Sequence, residues 1–361
     1  MSTYTQFIPV NKSQLLEEGE ISCTAPSNIA LVKYWGKRPV QLPENPSISF
    51  TLDSCRTETV LQYKKLAKKT DFFTFEILFE GKPKPDFVPK IQTFFERVER
   101  YLPFLKHYKI RIDTYNNFPH SSGIASSASA FSALAYCLVE WEYAMNPEKD
   151  SALPLQKASF LARLGSGSAC RSLEGPVTVW GKHAEISGST DQYAIKFPYD
   201  IHENFLKYQD TILLVDVGQK KVSSTVGHNL MYGHPYAESR FQQAYAHGRE
   251  LKKILTEGDL EGFIALVEKE ALALHAMMMM SSPYFILMKP NTLSIIEKIW
   301  EFRQNTGSHL CFTLDAGANV HVLYPENEKT AVLKFIQSEL VVYCEEGKYI
   351  CDTIGFGTKL L

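Results

Sequence analysis

A run of small residues between Pro119 and Ala130 constrains this chain more than any other segment. Eight of the nine residues from Ser122 to Ala130 are Gly, Ala or Ser. The run follows an alternating apolar segment typical of a strand and enters an Ala-rich apolar stretch typical of a helix ending near Tyr143. Backbone N–H groups at such a helix start bind phosphate when small side chains allow close approach. The run therefore predicts a polyphosphate-binding loop, although close packing of a helix on a sheet explains small residues equally well.

Two common nucleotide-binding motifs do not describe this loop. No Lys-Ser or Lys-Thr pair follows Gly123, so the loop is not a Walker A motif. The loop contains one glycine, whereas the dinucleotide-binding fingerprint requires three. The hydroxyl groups of Ser126 and Ser127 are oxygen ligands of the kind that magnesium accepts.

A second cluster of small residues, Gly165–Ser172, contains an arginine, Arg171. Backbone amides and hydroxyl groups suit phosphate oxygens, and a guanidinium pairs with carboxylate or phosphate through two parallel hydrogen bonds. Alone, such a segment is more often a turn with a surface arginine. Two clusters of this kind in one chain favour a site that holds two phosphorylated molecules.

Charged residues in apolar surroundings mark two further segments. Lys33 and Lys37 lie four residues apart at the end of a predicted strand and would face one anionic pocket if the strand breaks near Gly36. A solvated strand edge with ordinary lysines is the alternative. Asp315 directly follows the apolar segment Leu310–Leu314. A buried carboxylate needs a partner or a function, so Asp315 is a candidate catalytic residue unless it is a plain turn aspartate.

The first part of the chain is predicted to be rich in strands and the later part rich in helices. The predicted strands are Ile21–Cys23, Ile29–Tyr34, Ser47–Leu52, Thr59–Tyr63, Phe73–Phe79, Lys109–Tyr115, Val177–Trp180, Ile212–Val217, Leu310–Leu314 and Val320–Leu323. Predicted helices cover Phe87–Leu102, the stretch after the small-residue loop, Ala237–Leu255, Leu260–Met280 and Thr292–Gln304. This order predicts an α+β architecture with two closely joined lobes.

Composition excludes several classes of partner. The 361 residues carry a formal net charge of −2, which removes the broad attraction that nucleic-acid binders use. The seven cysteines show no metal-ligand spacing, and the chain has neither a leader pattern nor an apolar run long enough for a membrane span. We therefore expect a cytoplasmic, reduced protein that binds small molecules or copies of itself, with no nucleic acid and no membrane.

Several segments together resemble the diphosphomevalonate decarboxylase family, within the superfamily of galactokinase, homoserine kinase, mevalonate kinase and phosphomevalonate kinase. The resemblance lies in Asn28–Arg38, Ser47–Leu52, Asn116–Ala128, Gly165–Ser172 and Asp315–Asn319, with weaker similarity at Lys221–Thr225 and Tyr349–Gly357. It implies an N-terminal lobe like the second domain of ribosomal protein S5 and a C-terminal α/β-sandwich lobe. The lobes would comprise residues 1–195 and 196–361, with the last strand returning to the first lobe.

The resemblance also implies which residues form the site. The family positions that hold the phosphorylated acid match Tyr34, Trp35, Gly36, Lys37, Ser166, Gly167, Ser168, Ala169, Cys170, Arg171 and Thr225. Those around ATP match Asn117, Ser121, Ser122, Gly123, Ala125, Ser126 and Ser127, with magnesium near Ser126 and Ser127. Asp315 would accept the proton of a tertiary alcohol during phosphoryl transfer, Lys33 would position Asp315, and Arg171 would hold the substrate carboxylate. ATP and magnesium are the implied cofactors, and the usual oligomeric state in the superfamily implies a homodimer.

Departures from the family pattern keep alternative functions open. The chain reads Pro119-His120-Ser121-Ser122-Gly123 where the family usually has Pro-Thr-Ala-Ala-Gly. The substrate therefore carries either two phosphates or one, as in a phosphomevalonate decarboxylase. A mevalonate-type 3-kinase that does not decarboxylate is a second alternative. A non-catalytic RNA-binding module is the third, against which the slight acidity and the lack of a basic, aromatic-interleaved patch argue.

Overall fold

The chain folds into an α+β architecture of two lobes, as the sequence predicts. The computed structural model describes residues 4–9, 14–119, 124–146, 153–218 and 224–361. Its strands are β1 (Glu18–Val32), β2 (Lys37–Arg38), β3 (Leu42–Pro43), β4 (Ser47–Lys65), β5 (Thr74–Phe79), β6 (Lys82–Pro83), β7 (Tyr108–Asn116), β8 (Val177–Trp180), β9 (Ile195–Lys196), β10 (Gln209–Leu213), β11 (Cys311–Thr313), β12 (Val320–Tyr324), β13 (Tyr349–Thr353) and β14 (Lys359–Leu360). Its α-helices are α1 (Val88–Val98), α2 (Ser126–Ala144), α3 (Leu153–Gly165), α4 (Ser224–Asn229), α5 (Ala237–Glu257), α6 (Leu260–Met279), α7 (Pro290–Thr306) and α8 (Lys329–Phe335).

The first lobe is built on a sheet with strand order β14-β1-β4-β7-β5-β6, to which β8 and β9 are added beside β4. Helices α1 to α3 cover this sheet, and α2 lies against β1 and β4. The apolar row of α1 predicted from its helical spacing, Ile91, Phe94, Phe95 and Val98, is buried in this core. The carboxyl end of β7 therefore delivers the chain to the start of α2, where the small-residue loop lies.

Two long strands replace four predicted short ones in this sheet. The segments predicted around Pro26 are one strand, β1, because register shifts at Pro26/Asn28 and Ala30/Val32 let the pairing with β4 continue past the proline. The segments on either side of Asp53 likewise form one strand, β4, whose first half pairs with β8 and whose second half pairs with β7. Irregular strand pairing therefore lets each strand continue where the sequence pattern predicted a break.

The second lobe is built on a sheet with strand order β11-β12-β10-β13, with α6 and α7 against β11 and α5 packed on α6. The predicted helix bounds in this lobe lie within two residues of those observed for α5, α6 and α7. Strands β11 and β12 pair directly, and the loop between them contains Asp315. No helix in the described residues is long and apolar enough to cross a bilayer.

The two lobes share one apolar core, which we call the inter-lobe core. Ile29, Ile48 and Phe50 of the first sheet lie in the same buried cluster as Phe205, Tyr208 and Phe263 of the second lobe. The Phe50 ring stacks on the Phe263 ring with 5.9 Å between centroids. Strand β14 also pairs with β1, so the last strand of the chain lies in the first sheet. A division near residue 195 stays a prediction.

Candidate active site

A buried lysine and a partly exposed carboxylate form an ion pair where the two lobes meet. Lys33 follows the last residue of β1 and is 1% exposed. Its ammonium Nζ lies 3.1 Å from the Oδ1 atom of Asp315, whose side chain is 27% exposed. Burial lowers the pKa of Lys33, whereas the charge of Asp315 and a hydrogen bond to its carboxylate act to raise it. The pair places one carboxylate at a solvent-accessible point beside a fixed positive charge.

A buried carboxylate that the sequence analysis did not single out holds the Lys33 backbone. The Oε2 atom of Glu270, on α6, accepts a hydrogen bond from the Lys33 N–H at 2.8 Å. Glu270 also pairs with Arg240 and with the imidazole of His247, both on α5. Burial acts to raise the pKa of Glu270, but these hydrogen bonds and charges together lower it. The end of β1 is thus anchored to the second lobe through an ionised group.

The loop that contains Asp315 is held by hydrogen bonds to its backbone. The Nε2 atom of His275, on α6, lies 3.1 Å from the Asp315 carbonyl oxygen. Burial lowers the pKa of His275 to about 4, so this imidazole is neutral near pH 7 and donates to the carbonyl. The Thr292 hydroxyl, in the first turn of α7, donates to the Ala318 carbonyl oxygen at 2.7 Å. These contacts fix the backbone while the Asp315 carboxylate faces Lys33.

Arg171 brings a third charge to the same place. It lies in a 3-10 helix, Gly167–Ser172, and is 4% exposed. Its Nη1 atom donates to the Ser47 hydroxyl, whereas its Nε atom has no hydrogen-bond partner among the described residues. Burial lowers the pKa of Arg171, and the negative charge of Asp315 opposes that shift. A buried guanidinium with an unused donor is suited to hold an anion.

The backbone of this 3-10 helix is fixed from several sides. The Ala169 carbonyl accepts from the Ser132 hydroxyl at 2.6 Å, and the Cys170 carbonyl accepts from the Ser159 hydroxyl at 3.0 Å. At Gly167, a Cβ atom would lie 2.7 Å from the Tyr34 hydroxyl, so only glycine allows this approach. The second small-residue cluster therefore lies directly beside the segment that follows β1. The alternative of a turn with a surface arginine is wrong for Arg171, because the guanidinium is buried.

The segment after Lys33 contains one buried indole and two polar side chains. The Trp35 side chain is 5% exposed and packs with Met231, Leu274 and Met278, so it is part of an apolar cluster. The Tyr34 ring is half-buried against Trp180 and His228, and burial raises the pKa of its hydroxyl.

Lys37 is half-buried on the short strand β2. Burial and the charge of Arg97 lower its pKa. The Trp35 indole packs in its apolar cluster, whereas contacts of Tyr34 and Lys37 with a substrate stay predictions.

The small-residue loop leads into the start of α2. Ala125, at the N-cap, has a left-handed φ of 47°, and no side chain caps the helix. The Ser27 hydroxyl donates to the Ile124 carbonyl at 2.6 Å and ties this turn to β1. Ser126 is half-buried and Ser127 is exposed. An uncapped helix start with small residues retains the N–H groups that bind phosphate.

The structure does not describe all of the other residues predicted around ATP and substrate. Ser121, Ser122 and Gly123 lie outside the described residues, and so does the side chain of Thr225. The Asn117 side chain accepts from the Arg56 N–H at 2.8 Å and donates to the Ser54 carbonyl at 2.6 Å. Both of its polar groups thus connect the end of β7 to β4. A contact between Asn117 and ATP stays a prediction.

A mostly apolar recess opens beside the start of α2. It has an empty volume of about 620 Å³, including the part open to solvent. Its lining includes Phe79, Phe87, Ile91 and Phe131, together with the hydroxyl-bearing Ser126 and Ser127. An apolar recess next to a helix start that can bind an anion suits a nucleotide, with its base in the recess and its phosphates at the helix.

The donor set at this point also fits magnesium in the way that phosphate-bound magnesium is held. No cluster of three or more His, Cys, Asp or Glu side chains in the described part of the chain could hold a metal by itself. Magnesium usually takes one or two protein oxygens and completes its shell with phosphate oxygens and water. Among the described residues, Ser126 and Ser127 provide hydroxyl oxygens at the uncapped helix start.

The fold and the site together place this chain in the class of two-lobed small-molecule kinases and their relatives. A family model described as "Diphosphomevalonate decarboxylase-like N-terminal domain" matches residues 25–194. A second, described as "Mevalonate 5-diphosphate decarboxylase C-terminal domain", matches residues 211–353. The chain belongs to the diphosphomevalonate decarboxylase family.

Individual relatives agree with this assignment. The chain is 30% identical to diphosphomevalonate decarboxylase from Rattus norvegicus over 85% of this chain and 77% of the relative. It is 30% identical to the Candida albicans enzyme over 87% of each chain. Among solved structures, mevalonate diphosphate decarboxylase from Staphylococcus aureus superposes with a TM-score of 0.81 at 25% identity, over 95% of this chain and 98% of that chain. The structure of MDDEF in complex with MVAPP, AMPPCP and magnesium gives a TM-score of 0.80 at 25% identity, over 95% and 99%.

Three side chains that the sequence analysis missed contribute to this site: Glu270, His275 and His228. All three lie on helices of the second lobe, and their contacts with the first lobe or the Asp315 loop join residues far apart in the chain. Their only sequence signal is a polar residue within a helical pattern that is otherwise apolar, as in Ala271–Ala276 around His275. That signal identifies buried polar groups but not their partners.

Proposed function

We propose that this protein catalyses the ATP-dependent decarboxylation of (R)-5-diphosphomevalonate to isopentenyl diphosphate, with release of ADP, phosphate and CO2. The observation that carries the proposal is the meeting of Asp315, Lys33 and Arg171 between the two lobes. Membership of the family and the similarity to diphosphomevalonate decarboxylases support the same reaction. The reaction belongs to isoprenoid biosynthesis by the mevalonate pathway.

Asp315 is the group that we assign to the tertiary hydroxyl of the substrate. A tertiary alcohol is a poor nucleophile, so its proton must pass to a base as the oxygen attacks phosphorus. The Asp315 carboxylate is accessible to solvent on one side and faces Lys33 on the other. Lys33 lies 3.1 Å from the carboxylate and orients it. Phosphate then leaves from C3 and CO2 is lost, which completes the alkene.

Arg171 is the group that we assign to the substrate carboxylate. Its buried guanidinium has an Nε atom without a partner among the described residues. A carboxylate held there would remain ionised until the carbon–carbon bond breaks, because the fixed positive charge stabilises the anion. Carbon dioxide leaves as a neutral molecule and is no longer held by Arg171.

The remaining contacts to the phosphorylated acid are proposed for the segments around Arg171 and Lys33. The proposed residues are Tyr34, Gly36, Lys37, Ser166, Gly167, Ser168, Ala169, Cys170 and Thr225, with Trp35 packed behind them. The close approach of Gly167 to the Tyr34 hydroxyl supports one shared pocket for the two segments. Lys37 supplies the positive charge near the segment after β1.

ATP is proposed to bind with its base in the apolar recess and its phosphates at the start of α2. Ala125, Ser126, Ser127 and the preceding Ser121, Ser122 and Gly123 would surround the phosphates, with Asn117 nearby. Magnesium, held by the serine hydroxyl groups and the phosphates, supplies charge neutralisation for the transferred phosphoryl group. The uncapped start of α2 supports this placement.

Product analysis with each candidate substrate tests the proposed function. Purified protein with ATP and magnesium is incubated with mevalonate diphosphate, mevalonate phosphate or mevalonate, and the products are identified by mass. We expect isopentenyl diphosphate and CO2 from mevalonate diphosphate, and none in samples without ATP. Isopentenyl phosphate as the main product would assign the protein as a phosphomevalonate decarboxylase. ADP without CO2 would assign it as a 3-kinase.

We also propose that the protein is a cytoplasmic homodimer. The usual oligomeric state in the superfamily supports the dimer, and the seven free cysteines support a reducing compartment. Light scattering coupled to size-exclusion chromatography measures the oligomeric state directly. A mass close to 40.9 kDa, the mass of one chain, would contradict the dimer.

A further inference from the structure

His228 lies in the proposed substrate pocket, although neither the family resemblance nor the comparisons point to it. It belongs to the short helix α4 and is 7% exposed. Its ring contacts the ring of Tyr34, with 4.2 Å between centroids, and the ring of Trp35, with 4.7 Å. The second lobe therefore places an imidazole directly on the segment that follows Lys33.

Hydrogen bonding determines which nitrogen of this imidazole carries the proton. The Nδ1 atom of His228 accepts a hydrogen bond from the Gly36 backbone N–H at 3.0 Å. An accepting Nδ1 cannot carry a proton, so the proton of the neutral ring is on Nε2. Burial lowers the pKa of His228 to about 3, and the charges of Lys37 and Arg171 act in the same direction. The ring is therefore neutral near pH 7 and is a hydrogen-bond donor at Nε2.

This donor has no acceptor within the described part of the chain. Nδ1 is bonded to Gly36, and Nε2 makes no hydrogen bond to any described residue. The charges that act on the ring are both positive, from Lys37 and Arg171. A hydrogen-bond donor beside two cations creates a place where an anion is stabilised. Tyr34, whose hydroxyl approaches Gly167, adds a further polar group to the same place.

We propose that His228 donates a hydrogen bond from Nε2 to the phosphate end of the substrate and so favours phosphorylated over unphosphorylated acids. This inference rests on the proposed function, because it assigns the tertiary hydroxyl of the substrate to Asp315 and the substrate carboxylate to Arg171. The ring contact with Tyr34 and the hydrogen bond from Gly36 fix the direction of the Nε2–H bond before substrate binds. A preoriented neutral donor adds binding energy without adding a charge that must be desolvated.

Two substitutions separate the contact to substrate from the contact to Gly36. In His228→Asn the amide oxygen can still accept from the Gly36 N–H, but no donor reaches the Nε2 position. In His228→Gln the longer amide carries a donor close to that position. We expect His228→Asn to raise the KM for mevalonate diphosphate on the order of 10-fold or more, as for a lost hydrogen bond to a charged group. The kcat and the KM for ATP should stay within about twofold, and His228→Gln should restore most of the lost affinity.

His234→Asn is the matched control. His234 lies just after α4, is equally buried at 7% exposed, and uses its ring nitrogens for the Met277 carbonyl and the Tyr236 N–H. Its substitution should leave the KM for mevalonate diphosphate unchanged. Equal KM values for wild type and His228→Asn would overturn the inference, and so would a His228→Gln variant as impaired as His228→Asn.

Pyrophosphate binding separates this inference from the proposed function. Calorimetric titration of pyrophosphate into wild type, His228→Asn and His228→Gln needs no turnover. We expect weaker binding by His228→Asn than by the other two proteins. If the protein gives that result but does not decarboxylate mevalonate diphosphate, the His228 contact is retained and the proposed decarboxylation is rejected. Equal pyrophosphate binding by all three proteins would reject the His228 contact, whichever reaction the enzyme catalyses.

Discussion

Lys33 depends on Asp315 for its charged form. Burial of the Lys33 ammonium acts against its charge, and the carboxylate 3.1 Å away acts in favour of it. The same contact orients the Asp315 carboxylate, which we assign as the proton acceptor. Asn45 and Glu270 fix the Lys33 backbone through its carbonyl and its N–H, at 2.9 Å and 2.8 Å. The base is thus oriented by a lysine whose own backbone is fixed.

Asp315→Asn should lower kcat by about 100-fold or more, because an amide cannot accept the proton of the tertiary alcohol. The amide has nearly the same size as the carboxylate, so binding of ATP and of mevalonate diphosphate should persist. Release of phosphate and CO2 measures the first effect, and calorimetric titration measures the second. Asp200→Asn, a change of an exposed carboxylate, is the control. Activity within tenfold of wild type would remove Asp315 from the role of base.

His275 should make stability dependent on pH in the mildly acidic range. Its pKa is about 4 in the folded protein and about 6.5 in an unfolded chain, so the unfolded chain binds the proton more readily. Its contribution to stability is therefore complete above about pH 6.5 and is lost as pH falls toward 4, by about 3 kcal/mol in all. Urea unfolding between pH 7 and pH 4.5 measures this loss. His275→Gln should show a smaller pH dependence over the same range, and an identical dependence would contradict the assignment.

Strand β13 connects the second lobe to the first through one carboxylate. Asp352, on β13, is 5% exposed and accepts from the backbone N–H groups of Asp53, Ser54 and Cys55 at 3.1, 2.8 and 2.7 Å. These three residues lie where β4 changes its partner from β8 to β7. The carboxylate thus satisfies backbone groups that neither neighbouring strand can reach.

Asp352→Ala should destabilise the protein by about 2 kcal/mol or more, because hydrogen bonds to a charged acceptor are lost and buried N–H groups remain unpaired. Asp53→Ala is the matched control, since its side chain is exposed in the same part of β4. Urea unfolding at pH 7 measures both variants. A free energy of unfolding that falls equally in the two variants would show that this part of β4, and not the Asp352 carboxylate, provides the stability.

Sequence patterns predicted the elements that are long and regularly spaced, and they predicted the charged residues of the site. Helices α5 to α7 and the pair β11 and β12 follow apolar spacing that depends only on local neighbours. The continuity of β1 past Pro26 could not be predicted, because it depends on the pairing with β4. Helix α3 was not predicted either, since its apolar residues meet partners on α1 and α2.

The same distinction applies within the site. Lys33, Arg171 and Asp315 stand out because each is charged within a segment of small or apolar residues. Glu270, His228 and His275 act through contacts that only the folded chain creates. The bond between Glu270 and the Lys33 N–H, for example, joins residues 237 positions apart. No local spacing carries information about such a partner.

The inter-lobe core predicts that the two lobes unfold together. Ile48 and Phe50 of β4 are fully buried, and they share their cluster with Tyr208 and Phe263 of the second lobe. Separation of the lobes would expose apolar surface on both sides at a cost near 25 cal/mol per Å². Differential scanning calorimetry should therefore show one transition whose calorimetric and van't Hoff enthalpies agree. Two resolved transitions would contradict a shared core.

This shared core also limits how the gene can be divided. A fragment ending at residue 195 would lack Phe205, Tyr208 and Phe263, and it would expose Ile29, Ile48 and Phe50 to water. It would also lack β14, which pairs with Cys23 and Thr24 of β1, and an unpaired strand edge is a common starting point for aggregation. Complementation by two co-expressed pieces is therefore a realistic engineering route, whereas either piece alone is expected to aggregate.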